Sequence, residues 1–394
     1  MRCILALLAA FSASAQAQTT TGEVQVYGRI DMGFSHRSDP IRFAGVERAR
    51  KSQNAINSGQ SARSFIGFKG TETLDDGLKA FFVLDIGFTA DNGAHSDFGN
   101  GRLVSERAFL GLSGQWGTLS AGRHVAPRHI FLATLDPFRA GTVGRYRNVN
   151  TDRFRFKVEE DHFDNSVVWT SPNWAGLNLT AAFSTTTGLQ ETPGNKADFK
   201  AFSLLPRYTR GALDAGLSYQ RFRVKNLAAN PGRALEADDI QQWTLGAAYD
   251  FGPLKLSGWY DTHKVEGKES AGTNPMRRHD RTRSFGVGLT VPVGKTTLRA
   301  AFSQSRATDN NAETGGISRT GVARAWALGA SYALSPRTTL YSAYARLNND
   351  HSDLTRSASL GDAATAIFGY SPYDPESRAQ GYQHGFQVGI VHSF

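Results

Sequence analysis

Arg29, Arg63 and Arg107, together with Asp31 and Asp85, are charged residues set among bulky apolar ones. In Val24-Gln25-Val26-Tyr27-Gly28-Arg29-Ile30-Asp31, the two valines claim one face and Tyr27, Arg29 and Asp31 take the other. Ile66 and Phe68 put Arg63, Phe65, Gly67 and Lys69 opposite them. Leu110 and Leu112 do the same for Arg107, and Leu78, Ala80, Phe82 and Leu84 for Lys79 and Asp85. Fixed cations and anions facing one another across water steer ions and orient dipolar solutes, with no need of a nucleophile, a base or a metal.

Other chemistry is poorly served. Ten histidines show no metal-ligand spacing: His124, His129, His279, His384 and His392 lie apart. No G-x-S-x-G elbow is present, and a barrel enzyme would need a nucleophile–base pair on a strand that cannot be placed. Nothing points to a cofactor.

The charged positions imply extended elements, and the sequence supplies them. Leu213, Ala215, Leu217 and Tyr219 oppose Asp214, Gly216, Ser218 and Gln220. Trp243, Leu245, Ala247, Tyr249 and Phe251 oppose Thr244, Gly246, Ala248 and Asp250. Period-two alternation with a small or polar second face predicts strands that bury one face. Sixteen such stretches are expected, at 24–34, 62–70, 77–88, 104–114, 117–123, 165–171, 176–185, 200–209, 211–222, 239–251, 254–264, 281–291, 295–305, 322–334, 337–347 and 383–394. Tight turns such as Arg210-Gly211 and Gly252-Pro253 alternate with long polar loops at 35–61, 89–103, 124–164, 186–199, 223–238, 265–280, 306–321 and 348–382. This is the rhythm of an all-β, 16-stranded antiparallel transmembrane barrel. Trp243, Tyr249, Phe251, Trp326 and Tyr332 gather near strand ends on the apolar face, as interfacial girdles do.

The chain has 394 residues, formal net charge +9, 41 glycines and 11% aromatic residues. Arg2, the apolar run Ile4–Phe11 and Ala15-Gln16-Ala17 read as a signal peptide over 1–17, leaving a barrel over 18–394. Cleavage after Ala15 is the alternative. Cys3 is the only cysteine and leaves with the signal, which excludes disulfides and thiol catalysis. No run of 18 apolar residues follows, so a helical membrane protein is excluded. The basic run Arg277, Arg278, Arg281 and Arg283 would suggest nucleic acid in a cytosolic protein. Behind a signal peptide it reads instead as a rim meeting lipopolysaccharide phosphates or incoming anions. Phe394 ends an alternating strand with Phe386, Val388, Ile390 and His392 on its face, and reads as an outer-membrane assembly signal.

These residues resemble a family, the trimeric general porins of Gram-negative bacteria and in particular the beta-proteobacterial type. The similarity runs through Val24–Asp31, Phe65–Glu72 with Gly77–Ala80, Phe109–Gly114, Gly117–Leu119, Gly122-Arg123 and Val388–Phe394. The resemblance implies a homotrimer in the outer membrane and a third loop, 124–164, folded into the lumen. It implies a constriction with a basic wall of Arg29, Arg63, Arg107 and Arg123, opposed by Asp31, Asp85 and Asp136, and loop charges Arg139, Arg145 and Arg147. Asp136-Pro137-Phe138 looks like the family's loop-tip motif. Strict alternation from Leu119 and Ala121 aims Arg123 at lipid, so its place in the pore needs a bulge or strand end near Gly122. Porins of this type usually carry an arginine where this chain has Phe65, and Arg63 could supply that charge. The expected activity is passive diffusion of small hydrophilic solutes with a preference for anions. A substrate-specific channel for phosphate, a carboxylate or a sugar is the alternative, and a surface adhesin a more distant one.

Overall fold

The computed structural model describes residues 22–40, 52–95, 104, 106–150, 161–185, 198–225, 235–271, 274–311, 318–350 and 382–394. The expected signal peptide lies outside these residues. The first half of the wall is built from β1 (Glu23–Pro40), β2 (Gln53–Ser58), β3 (Phe65–Thr73), β4 (Lys79–Gly87), β5 (Ala108–Gly114), β6 (Gly117–Val125), β7 (His162–Thr170) and β8 (Leu177–Ser184). The second half comprises β9 (Asp198–Arg210), β10 (Leu213–Lys225), β11 (Leu235–Asp250), β12 (Lys255–Ala271), β13 (Asn274–Val293), β14 (Thr296–Asn311), β15 (Ser318–Ala333), β16 (Thr338–Asp350) and β17 (Tyr382–Ser393). One helix, α1 (Pro127–Leu135), lies between β6 and β7.

The strands form a single antiparallel sheet that closes on itself, because β1 pairs with β17 from Arg29↔Ser393 to Pro40↔Tyr382. The other edge of β1 is shared. β3 covers Glu23–Arg29 and β2 covers Met32–Arg37. These two strands occupy one place in the wall, so seventeen strands make a sixteen-stranded barrel. Closure leaves no sheet edge to be satisfied in hydrocarbon. Phe394 completes the seam: its backbone exchanges hydrogen bonds with Gly28 at 3.0 and 3.1 Å.

The alternation resolves as expected. Val24, Val26, Leu110, Leu112, Leu245, Val287 and Leu328 are exposed on the outer surface, as are Trp243, Tyr249, Phe251, Trp326 and Tyr332. Their neighbours point into the lumen and are small or polar: Ser203, Ser218, Thr244, Ser284, Ala325 and Ala345 are all buried. The segments 265–280 and 306–321, expected as loops, continue largely as strand, and β13 alone runs 20 residues. Hydrophobic alternation stops near Thr262, but backbone pairing does not depend on it, and the polar ribbons carry on. No described helix is long and apolar enough to cross a membrane.

The barrel's main apolar clusters lie inside it, between the third loop and the wall. Phe138, Val143 and Val149 pack on Ala323, Ala325, Ala327, Ala343, Ala345 and Leu347. Phe131, Leu132, Leu135 and Tyr146 pack on Leu205, Ala248 and Trp259. Four wall glycines make the bed. A Cβ on Gly216, Gly246, Gly288 or Gly329 would come within 2.2–3.0 Å of Phe131, Leu135, Pro137 or Phe138. The loop is therefore seated in a groove cut by missing side chains.

Candidate pore constriction

The chain leaves the wall at an irregularity. The β6–β7 register slips between Gly122 and His124, and Gly122 sits at φ 141, where a Cβ would strike the Ala108 carbonyl oxygen at 2.1 Å. That slip turns Arg123 inward, where it is buried and paired with Asp164. Pro127 opens α1 at a position that lacks a helical hydrogen bond in any case, and its fixed φ suits the first turn.

Beyond the helix the loop makes a tight knot. Asp136 is buried, and its carboxylate accepts the backbone N–H groups of Phe138 at 3.0 Å, Ala140 at 2.9 Å and Tyr146 at 3.0 Å. Arg139, Ala140 and Thr142 all adopt left-handed φ, of 50, 61 and 55°. Such residues cost about 1 kcal/mol or more each, so the hydrogen bonds to Asp136 offset strain that the turn alone would not hold. Burial outweighs those donors and pushes the Asp136 carboxyl up to about 6. The knot is fastened on two sides: Thr142 N–H donates to the carbonyl of Gln60, between β2 and β3, at 2.6 Å, and Val143 N–H to the Gln387 side chain on β17 at 2.8 Å.

A buried ionic latch holds α1 to β11 and β12. Arg128 Nη2 donates to Asp261 Oδ1 at 2.9 Å, and Arg128 Nε to Thr244 Oγ1 at 3.0 Å. Asn150 and His263 also meet the guanidinium, at 3.3 and 2.8 Å. Asp261 also pairs with His263 and accepts from Thr244. Beside the latch, His129 Nδ1 and the Tyr146 hydroxyl lie 2.8 Å apart, and burial pushes that imidazole down to about 3. It is neutral at ordinary pH.

Opposite the knot, residues 59–64 bend inward between β2 and β3. Asp31 holds the bend, accepting from Ser61 N–H and Ala62 N–H at 2.6 Å each and from Tyr341 Oη at 2.7 Å. Gly141 meets the bend so closely that a Cβ would sit 1.9 Å from the Ser61 carbonyl oxygen. The knot, the bend and the β14–β17 wall enclose a cavity of about 360 Å³. Among the described residues its charged lining is Arg29, Arg63, Arg139, Arg145, Arg147 and Arg299 against Glu106 and Asp161, an excess of four positive charges. Arg63 pairs with Glu106, and Arg147 Nη1 donates to Asp161 at 2.9 Å.

Five of the residues singled out from sequence thus meet around one cavity: Arg29, Arg63, Arg139, Arg145 and Arg147. Arg29 lies over the Phe65 ring at 5.1 Å and donates to the Arg63 carbonyl at 3.0 Å. Arg63 also lines the cavity, two residues before the phenylalanine that occupies the expected arginine position. Arg107, Arg123, Asp31, Asp85 and Asp136 are not part of its lining. Arg107 is tied to Asp85 at 2.6 Å and to the Tyr27 hydroxyl at 3.2 Å. Arg299 and Glu106 also line the cavity and were not among the charges singled out from sequence. For Arg299 the signal was present: Leu298 and Ala300 face outward in β14, which turns Arg299 into the lumen.

A closed barrel, apolar outside, polar inside and narrowed by an inserted loop, is a water-filled membrane channel. A family model described as Gram-negative porin matches residues 5–352. The chain is 29% identical to outer membrane porin protein 32 of Delftia acidovorans over 398 residues, covering 99% of this chain and 98% of that one. It is 28% identical to an outer membrane porin of Bordetella pertussis over 368 residues, 85% of this chain and 91% of that protein. Among solved structures it resembles an anion-selective porin from Comamonas acidovorans, with TM-score 0.68, 23% identity and 95% and 100% of the two chains covered. OmpT of Vibrio cholerae, solved in a trimer form, follows at TM-score 0.61 and 15% identity, with 95% and 99% covered. The chain belongs to the Gram-negative porin family. It is an outer-membrane protein, and its barrel is a passive channel.

Proposed function

We propose that the channel prefers anions and passes small hydrophilic ones by diffusion, with Arg29, Arg63, Arg139, Arg145, Arg147 and Arg299 setting the preference. The observation that carries this reading is their excess over Glu106 and Asp161 around a single cavity. Low-dielectric walls focus that field on whatever enters, and salt screens it over a Debye length of about 8–10 Å. Arg107 and Arg123 brace the wall in this reading, while Asp31, Asp85 and Asp136 hold the pieces that shape the cavity. The channel catalyses no reaction, works as a homotrimer, and is exported by a signal peptide cleaved after Ala17. Phe394, which closes the seam, also serves as the assembly signal. The zero-current potential of the purified channel in a planar bilayer under a KCl gradient tests the proposal. Chloride preference that weakens as salt rises supports it; preference for potassium overturns it.

A further inference from the structure

Among the described residues, the outer surface of β12–β16 carries a belt of cations. Above the aromatic ring formed by Tyr260, Phe285, Phe302, Trp326 and Tyr344, the first or second outward position on each of β12–β16 is cationic. Lys264, Arg281, Arg283, Arg306, Arg324 and Arg346 are all exposed there. Parity fixes the direction: Arg281 and Arg283 share a face with Phe285 and Val287, while Ser284 and Gly286 between them are buried in the lumen wall. Arg281 and Arg283 of the basic run noted in the sequence therefore face away from the pore. Arg283 stands two residues beyond Phe285, about 7 Å at 3.3–3.4 Å per residue. That is headgroup height above an interfacial girdle. On β1–β8 no described lysine or arginine faces outward at this level.

The arrangement is unfavourable for the barrel by itself. Arg283 and Arg306 are direct cross-strand partners, and so are Lys264 and Arg281. Opposed residues bring their Cβ atoms to about 4.5–5.5 Å, and like charges so placed destabilise a sheet. Lys264 has Glu266 at 2.5 Å and Arg324 has Gln304 at 2.8 Å. Among the described residues Arg281, Arg283 and Arg306 have no carboxylate partner. Two adjacent like-charge pairs on an exposed face are balanced when an external anion with more than one charge sits across them.

We propose that Lys264, Arg281, Arg283 and Arg306, flanked by Arg324 and Arg346, form a docking surface for the phosphate groups of lipopolysaccharide. The proposal rests on the outer-membrane location and on the long loops facing outside, which puts this belt in the outer leaflet. Charge complementarity names the ligand: a lipid whose acyl chains lie on Phe285, Phe302 and Trp326 while its phosphates reach the guanidinium groups above. The bare flank on β1–β8 is left for contacts of another kind.

Native mass spectrometry of the full-length mature channel in detergent tests this, with bisphosphorylated lipid A and its dephosphorylated counterpart as probes. Each Lys or Arg near an anionic membrane surface is worth roughly fivefold in affinity, so R283Q/R306Q is expected to bind phosphorylated lipid A about 30-fold more weakly than wild type. Wild type is expected to lose the same preference when the lipid is dephosphorylated. K264Q/R281Q probes the second pair and serves if the first variant does not assemble. Equal binding of the two lipids by wild type, or equal binding of phosphorylated lipid A by wild type and variant, overturns the proposal. Neither pair lines the cavity, so unchanged conductance of the variants separates a failure of this surface from a failure of the channel reading.

Discussion

Arg128→Leu should loosen the constriction without breaking the barrel. Arg128 is 2% exposed and Asp261 is fully buried. Removing the guanidinium deletes the donors at 2.9 and 3.2 Å to Asp261 and those to Thr244 and Asn150. Asp261 keeps Thr244 and His263, but its charge loses its one permanent countercharge in that cluster. Breaking a buried ion pair from one side costs about 3–5 kcal/mol, because a desolvated charge is left behind. The wall is held by long ladders on both sides of β12, so the cost falls on the attachment of α1. At about 1.4 kcal/mol per decade, that raises the detached population of the loop roughly 140- to 4,000-fold. Single-channel recording reads it as open-state current noise and brief excursions absent from wild type. Replacing both residues by leucine removes the stranded charge, and R128L/D261L should recover most of the loss. A quiet R128L trace, or a double variant noisier than the single one, would refute the reasoning.

Asp136 offers a pH test. Its carboxyl is raised from 3.8 to about 6, so the folded loop holds the proton more tightly than the unfolded chain does. The stability this contributes is fully present below about 3.8 and is lost as pH rises through about 6. The carbon-13 shift of the Asp136 carboxyl should titrate near 6, and a midpoint near 3.8 would contradict the burial argument. Ala345→Phe places a ring where Ala345, buried against the Phe138 cluster, leaves no room. Overpacking of this kind costs about 1–3 kcal/mol, and the loop should shift inward or come away, changing unit conductance while the heat-stability of the barrel is kept. Gly122→Ala forces a side chain into a left-handed position 2.1 Å from a carbonyl oxygen. A loss of assembled channel on unheated detergent gels is expected, and wild-type yield would contradict it.

The strands were legible because a lipid-facing wall imposes period two on every one of them. That is why Arg29, Arg63 and Asp85 could be turned inward from sequence alone. β2 was not legible, because Gln53–Ser58 holds only Ala55 and Ile56 as apolar residues and pairs along part of one strand. α1 was hidden for a related reason. Its buried Phe131, Leu132 and Leu135 pack against a wall whose shape comes from absent side chains, Gly216 and Gly246 among them. Parity also cannot say how high a lumen residue stands or what it meets. Asp31 and Asp136 face inward, yet backbone N–H groups and the Tyr341 hydroxyl occupy their oxygens, whereas Arg299, a neighbour of apolar Leu298, reaches the cavity. Partnering across the lumen depends on how the loop is threaded, and that is a property of the whole barrel.

The central claim is that the arginines around one cavity choose the sign of the ions that pass. Arg139 on the loop and Arg299 on the wall both line it, and R139E/R299E takes its charge balance among the described residues from an excess of four to none. Zero-current potentials of wild type and R139E/R299E in the same low-salt KCl gradient test it most directly. The account predicts a clear chloride preference for wild type that is abolished in the variant, and equal potentials for the two channels would contradict it.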